Sequence, residues 1–109
     1  MRESQFVSVR RRFTKGGTEV AVEGELDGEV APRLRRVLAA AIVAGERISI
    51  DLGRVTFVDS SGLRAIVDAR RAAAEFDVEL VVVAAAPEVS RLLHLVGLDD
   101  LLEPMSSTA

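Results

Sequence analysis

The sequence predicts a mixed α/β domain. Two alternating, strand-like runs stand close together near the start of the chain. After them the apolar spacing changes to threes and fours, and from there strand-like and helix-like segments alternate to the end. That order implies parallel pairing in a sheet packed by helices, with one antiparallel strand at an edge. The expected sheet is mixed and mostly parallel, with four to five strands.

Phe6, Val7, Val9 and Phe13 set against Ser8, Arg10 and Arg12 read as a half-buried strand, closed by the turn Lys15-Gly16-Gly17. Glu19 to Gly24 alternates again, so the two runs form a hairpin. From Val30, a helical stripe of Val30, Leu34, Val37, Leu38, Ala41 and Ile42 begins, with Arg33, Arg35 and Arg36 mostly opposite. Pro32 suits its first turn and Gly45 its stop. Arg47 to Leu52 is a strand carried by Ile48, Ile50 and Leu52, followed by a short apolar piece, Val55 to Val58. Leu63, Ile66, Val67 and Ala73 mark a second helix ending near Phe76-Asp77. Val78 to Ala84 is almost continuously aliphatic, which predicts a strand covered on both faces. Pro87 opens a third helix with the stripe Val89, Leu92, Leu93 and Val96 and a stop at Gly97. Leu98 to Pro104 reads as a short helical turn or an edge strand, and 104–109 as a polar tail. Neither a linker nor a repeat divides the chain, so 1–109 is one domain with an ordered core of about 6–103.

Composition narrows the functions. With 109 residues, 49% of them hydrophobic and 28% charged, the chain carries enough apolar surface for one core, which a disordered chain lacks. It has no cysteine and one histidine, excluding disulfides, thiolate metal sites and multi-histidine metal sites. The net charge of -3, with no Trp or Tyr, argues against a nucleic-acid footprint, and Arg10-Arg11-Arg12 reads as a solvated strand end. Its longest apolar runs are too short to cross a membrane. No apolar signal core follows Met1-Arg2-Glu3-Ser4, so a cytoplasmic protein without membrane insertion is expected.

One segment invites chemistry. Asp59-Ser60-Ser61-Gly62 sits where a strand ends and a helix starts, a place where open α/β folds put ligand and partner sites. A helix N-terminus favours an anion, and a phosphoserine there would carry about -1.5 to -2 charge. The same four residues also compose an ordinary N-cap turn, and the letters leave both readings open. Asp27 caps the first helix or joins Asp59 as a carboxylate pair for acid–base work or Mg²⁺. A serine-hydrolase reading lacks a base near Ser60 or Ser61, because His94 lies on the third helix. There is no phosphate-binding glycine loop.

Gly24-Glu25-Leu26-Asp27, then Phe57-Val58-Asp59-Ser60-Ser61-Gly62-Leu63, then Pro87-Glu88-Val89-Ser90-Arg91-Leu92-Leu93 with Val96-Gly97-Leu98, occur in order over about 6–103. Together they resemble the three signatures of the STAS domain, and more narrowly those of bacterial anti-sigma factor antagonists. The resemblance implies a regulatory binding protein with no enzymatic activity, cofactor or metal. It implies Ser60 as a phosphoacceptor, with Asp27, Asp59, Ser61 and Gly62 supporting the site and the contact surface. The implied partner is an anti-sigma factor with serine kinase activity. The unphosphorylated antagonist binds it and releases a sigma factor, phosphorylation weakens that binding, and a PP2C-type phosphatase reverses it. In physical terms a dianion beside Asp59 and Asp27 adds like-charge repulsion to any interface that covers the site. The alternative within the same domain family is an accessory subunit of a lipid or anion ABC-type transporter. Val30 stands where relatives often carry Thr, which moves the first helix cap to Asp27 or Glu29, and Phe76-Asp77 replaces glycines common before the Val78 strand.

Overall fold

The computed structural model describes residues 8–102. Strand β1 (Ser8–Thr14) and strand β2 (Gly17–Leu26) form the expected antiparallel hairpin, with Val9 opposite Val22 and Thr14 opposite Gly17. Helix α1 (Ala31–Ala44), strand β3 (Ile48–Val58), helix α2 (Ser60–Glu75), strand β4 (Leu80–Ala85) and helix α3 (Pro87–Leu95) follow. The sheet order is β1-β2-β3-β4, with β2, β3 and β4 parallel. A single 3-10 turn, Asp99–Leu101, leads to Leu102, which makes an isolated parallel bridge to Val82. Of the two alternatives for this segment the helical turn forms, and its contact with the sheet is that one bridge.

Parallel strands end at one edge of the sheet. Leu26, Val58 and Ala85 close β2, β3 and β4 there, so α1, α2 and α3 all start at that edge. Val20, Ile50 and Val82 form one row across the sheet and are fully buried, as are Leu34 and Leu38 of α1, Ile66 of α2 and Leu93 of α3, all in a single core. The next row, Ala21, Asp51 and Ala84, lies on the opposite face, where no member is buried. Charge occupies that face: Arg12 pairs with Glu19 at 2.6 Å and Arg54 with Glu23 at 3.2 Å.

This one-sided packing corrects the expectation for β4. Only Leu80 and Val82 are buried in it, and Val81 and Val83 are half-exposed, because all the covering helices serve one core. Arg47–Leu52 and Val55–Val58 also merge into a single strand, bent by register shifts that absorb Gly53-Arg54. Phe13 and Val96, placed in apolar stripes by periodicity, are exposed, Phe13 next to the end of β1 and Val96 just past the end of α3. Phe13 instead packs under the Arg11 guanidinium, 4.7 Å from its ring centre. Phe6 and Val7 lie outside the described residues.

Helix ends follow the sequence signals. Gly45 and Gly97 have φ of 77° and 79° after α1 and α3, the left-handed stop expected there. After α2 the left-handed residue is Asp77, with φ of 60°, doing what Gly45 and Gly97 do after α1 and α3 at the cost of some strain.

Replacing Ile50 by Ala removes buried carbon from the middle of the central row and is expected to cost about 2–5 kcal/mol in urea unfolding. Val81→Thr, on the open face one strand away, is expected to change stability by less than about 1 kcal/mol. Equal losses at the two positions would contradict the one-sided sheet.

Candidate functional site

Because Leu26 pairs with Val58, the residues that follow each strand emerge side by side. Asp27 follows β2 and Asp59 follows β3, so the structure brings both carboxylates to the same edge, as the sequence suggested. Each is committed to backbone. Asp59 is the N-cap of α2, in extended conformation, and its Oδ1 accepts from the N–H of Gly62 at 3.0 Å. Asp27 Oδ1 accepts from the N–H of Glu29 at 3.1 Å and of Val30 at 3.2 Å, and its carbonyl accepts from Ala31 N–H. Val30, the residue at the N-cap position of α1, has no side-chain oxygen, so Asp27 supplies the cap from three residues earlier. Both capping readings hold, and among the described residues no cluster of three His, Asp or Glu side chains converges to hold a metal.

Gly62 is required for a steric reason. A Cβ at this position would collide with the carbonyl oxygen of Leu26 and come within 2.6 Å of its Cγ. The Leu26 carbonyl also accepts from Asp59 N–H at 3.2 Å. The first turn of α2 therefore lies directly on the end of β2, with no side chain between them.

That close approach leaves Ser60 and Ser61 exposed at the first two positions of α2. They line a shallow groove of about 280 Å³ with Gly28, Ala31 and Pro32 from the α1 side and the guanidinium-bearing Arg35 and Arg64. Ser61 packs near Gly28, where a Cβ would sit 3.5 Å from its Oγ. The lining has two arginines and no carboxylate, a balance that the sequence reasoning missed. It grouped Arg35 with the outward face of its helix and gave Arg64 no role. The i, i+4 spacing of Ser60 and Arg64 on a helix was the available signal.

Arg35 crosses from α1 to α2 and donates to Asp68 Oδ2 at 2.8 Å. The hydrogen bond from Arg35 holds the Asp68 carboxyl below its ordinary range, and the charges of Arg35, Arg64 and Arg71 add to this. Arg64 makes no ion pair among the described residues. His94 is exposed in the last turn of α3 and sits 3.3 Å from Asp99, at the end of that helix away from the edge where Ser60 lies. Among the described residues His94 pairs with Asp99 and with no serine. Phe57, 51% exposed, is the large apolar side chain left open two residues before Asp59.

The family model described as "Mlab, STAS domain" matches residues 9–103. The chain is also 35% identical over 91 residues to the anti-sigma-B factor antagonist of Staphylococcus aureus strain NCTC 8325, covering 83% of this chain and 84% of that protein. The chain belongs to the STAS-domain family of anti-sigma factor antagonists. Among solved structures, an anti-sigma factor antagonist from Mycobacterium paratuberculosis superposes with a TM-score of 0.77 at 28% identity, covering 94% of this chain and 89% of that one. The Bacillus cell fate determinant SpoIIAA, solved in its phosphorylated form, superposes with a TM-score of 0.74 over 93% of this chain and 96% of its own. At 19% identity, that likeness speaks for the fold alone. Among the described residues of this STAS domain, no helix is long and apolar enough to cross a membrane.

Gly62→Ala is expected to displace the first turn of α2 and lower stability by about 2 kcal/mol or more in thermal or urea unfolding. Asp59→Ala, which removes only the cap, is expected to cost about 1 kcal/mol. A Gly62→Ala chain as stable as the wild type would refute the close approach. Asp68 has its own pH signature. Its pKa is lowered by folding, so its contribution is complete above the unfolded value of about 3.9 and is lost as pH falls through the lower folded value. Asp68→Asn is expected to remove that part of the acid-side loss of stability, measured as melting temperature against pH.

Proposed function

We propose that this chain is a phosphorylation-controlled binding protein, not a catalyst, that acts in the cytoplasm as an anti-sigma factor antagonist. The unphosphorylated form binds an anti-sigma factor with serine kinase activity and releases the sigma factor. The observation that carries this reading is the exposure of Ser60 at the first position of α2, beside an Asp59 whose carboxylate is held by its own helix. A hydroxyl placed there is open to another protein's active site, while the turn that presents it is rigid.

In the phosphoryl transfer, Ser60 Oγ forms a bond to the γ-phosphorus of ATP bound by the partner. The bond from that phosphorus to the bridging oxygen breaks, ADP leaves, and the hydroxyl proton passes to a base on the partner. The product carries about two negative charges at the edge that the partner covers, which disfavours the interface by repulsion and desolvation. A PP2C-type phosphatase returns the hydroxyl. The fold itself accepts the phosphate, because the flanking carboxylates are tied down and the groove lining is cationic. Family membership and the S. aureus relative support the reading.

Affinity capture from native-cell lysate with wild type, Ser60→Ala and Ser60→Asp run side by side tests it. Wild type and Ser60→Ala are expected to retain an ATPase-fold anti-sigma factor, and Ser60→Asp to lose it at least tenfold, an interface loss of about 1.4 kcal/mol. Equal capture of transporter ATPase and permease subunits by all three would replace the switch with the accessory-subunit reading and leave Ser60 as part of a helix start.

A further inference from the structure

We propose that Arg35 and Arg64 clamp the phosphate of phosphorylated Ser60 in the groove between α1 and α2, and that Arg35 leaves Asp68 to do so. This rests on the reading of Ser60 as the phosphoacceptor.

Three features of the groove carry the inference. First, its lining contains two guanidiniums and no carboxylate, although acids flank it in sequence on both sides. Asp27 and Asp59 are hydrogen-bonded to backbone N–H groups of their own turns and do not line the groove, so the side chains nearest Ser60 in it are the two guanidiniums. Second, Arg64 stands four residues after Ser60 on α2. Side chains on a helix lean toward its N-terminus, so the Arg64 guanidinium reaches back toward the first turn. It makes no ion pair among the described residues and is exposed. Third, Arg35 reaches the same groove from α1 and is bound to Asp68, one helical turn beyond Arg64. A phosphoserine offers about two charges and three acceptor oxygens, against one charge on Asp68. Planar guanidiniums bind such groups with paired hydrogen bonds. The exchange from Asp68 to phosphate keeps α1 tied to α2 and moves the tie about two turns toward the sheet edge.

The consequence for the switch is specific. The unphosphorylated chain presents two guanidiniums beside Ser60, and the phosphorylated chain covers them with its own phosphate. Phosphorylation then both adds charge and withdraws a cationic groove from the partner.

Phosphoserine installed at position 60 through the genetic code tests the clamp without a kinase. The second ionisation of the phosphate is followed by ³¹P NMR in wild type, Arg64→Gln and the Arg35→Gln/Arg64→Gln double variant. The groups facing the phosphate are Arg35 from α1, Arg64 from α2 and the more remote Asp68, with Asp27 and Asp59 held in their caps. The wild-type phosphate is expected to ionise about one pH unit lower than in the double variant, a tenfold change in proton affinity, with Arg64→Gln between them. Arg64→Gln breaks no ion pair among the described residues, so it keeps the test valid if the double variant unfolds. Equal titration in wild type and Arg64→Gln would overturn the clamp, since the α2 N-terminus acts alike on both. In the same samples the ¹³C-observed carboxyl pKa of Asp68 is expected to rise on phosphorylation. An unchanged value would overturn the exchange by Arg35. A clamp measured in a chain that captures no anti-sigma factor would remove the switch and leave the clamp standing. The reverse pattern would remove the clamp alone.

Discussion

The contact between Gly62 and the end of β2 is the constraint on which the site depends. Two backbones meet there at a separation that admits no Cβ, with the Leu26 carbonyl also receiving the Asp59 N–H. A helix start anchored to a neighbouring strand cannot tilt or slide, so its first residues point in a set direction. Ser60 and Ser61 owe their exposure to that anchoring, and Asp59 owes its capping geometry to it. The rest of the edge is built outward from this point: Asp27 shapes the turn into α1, and α1 delivers Arg35 across to α2.

The one-sided sheet has a related effect. All three helices serve one core and start from one edge, while the other face carries ion pairs and a half-buried Asp51. A partner approaching the edge therefore meets rigid helix starts, two guanidiniums and an exposed Phe57, without needing to open the core. Under the proposed function, a modification at Ser60 falls on the surface and leaves the core packing in place. Under that reading, separating the modified hydroxyl from the packing that holds the fold keeps both states folded.

Much of the fold was legible in the chain because local rules and tertiary packing agree. The hairpin follows from two alternating runs around Lys15-Gly16, the helix stops from Gly45 and Gly97, and the parallel order from alternation of strand and helix. Disagreement arose where composition was ambiguous about the number of covered faces. β4 is aliphatic on both sides, yet only one side meets helices, so hydrophobicity overstated its burial. Phe13 and Val96 continue an apolar period past the point where their elements leave the core. In α2 the buried residues include Ala65 and Ala69 beside Ile66, small side chains whose role is close helix packing and which a stripe of large apolar residues does not reveal.

By itself the sequence determined the element order, the motif at the helix start and the two acids that flank it, because spacing, caps and turn residues act over a few neighbouring positions. Within that motif it was the resemblance to the STAS family that singled out Ser60. Only the tertiary structure decided the electrostatic character of the place where Ser60 sits. Whether an aspartate lines a groove or caps a helix start is settled by the local geometry, and here both cap. Whether Arg35 faces solvent or a serine 25 positions later is settled by how α1 lies against α2. Charge acts through space, so the sign of a site is a property of which side chains the fold brings together.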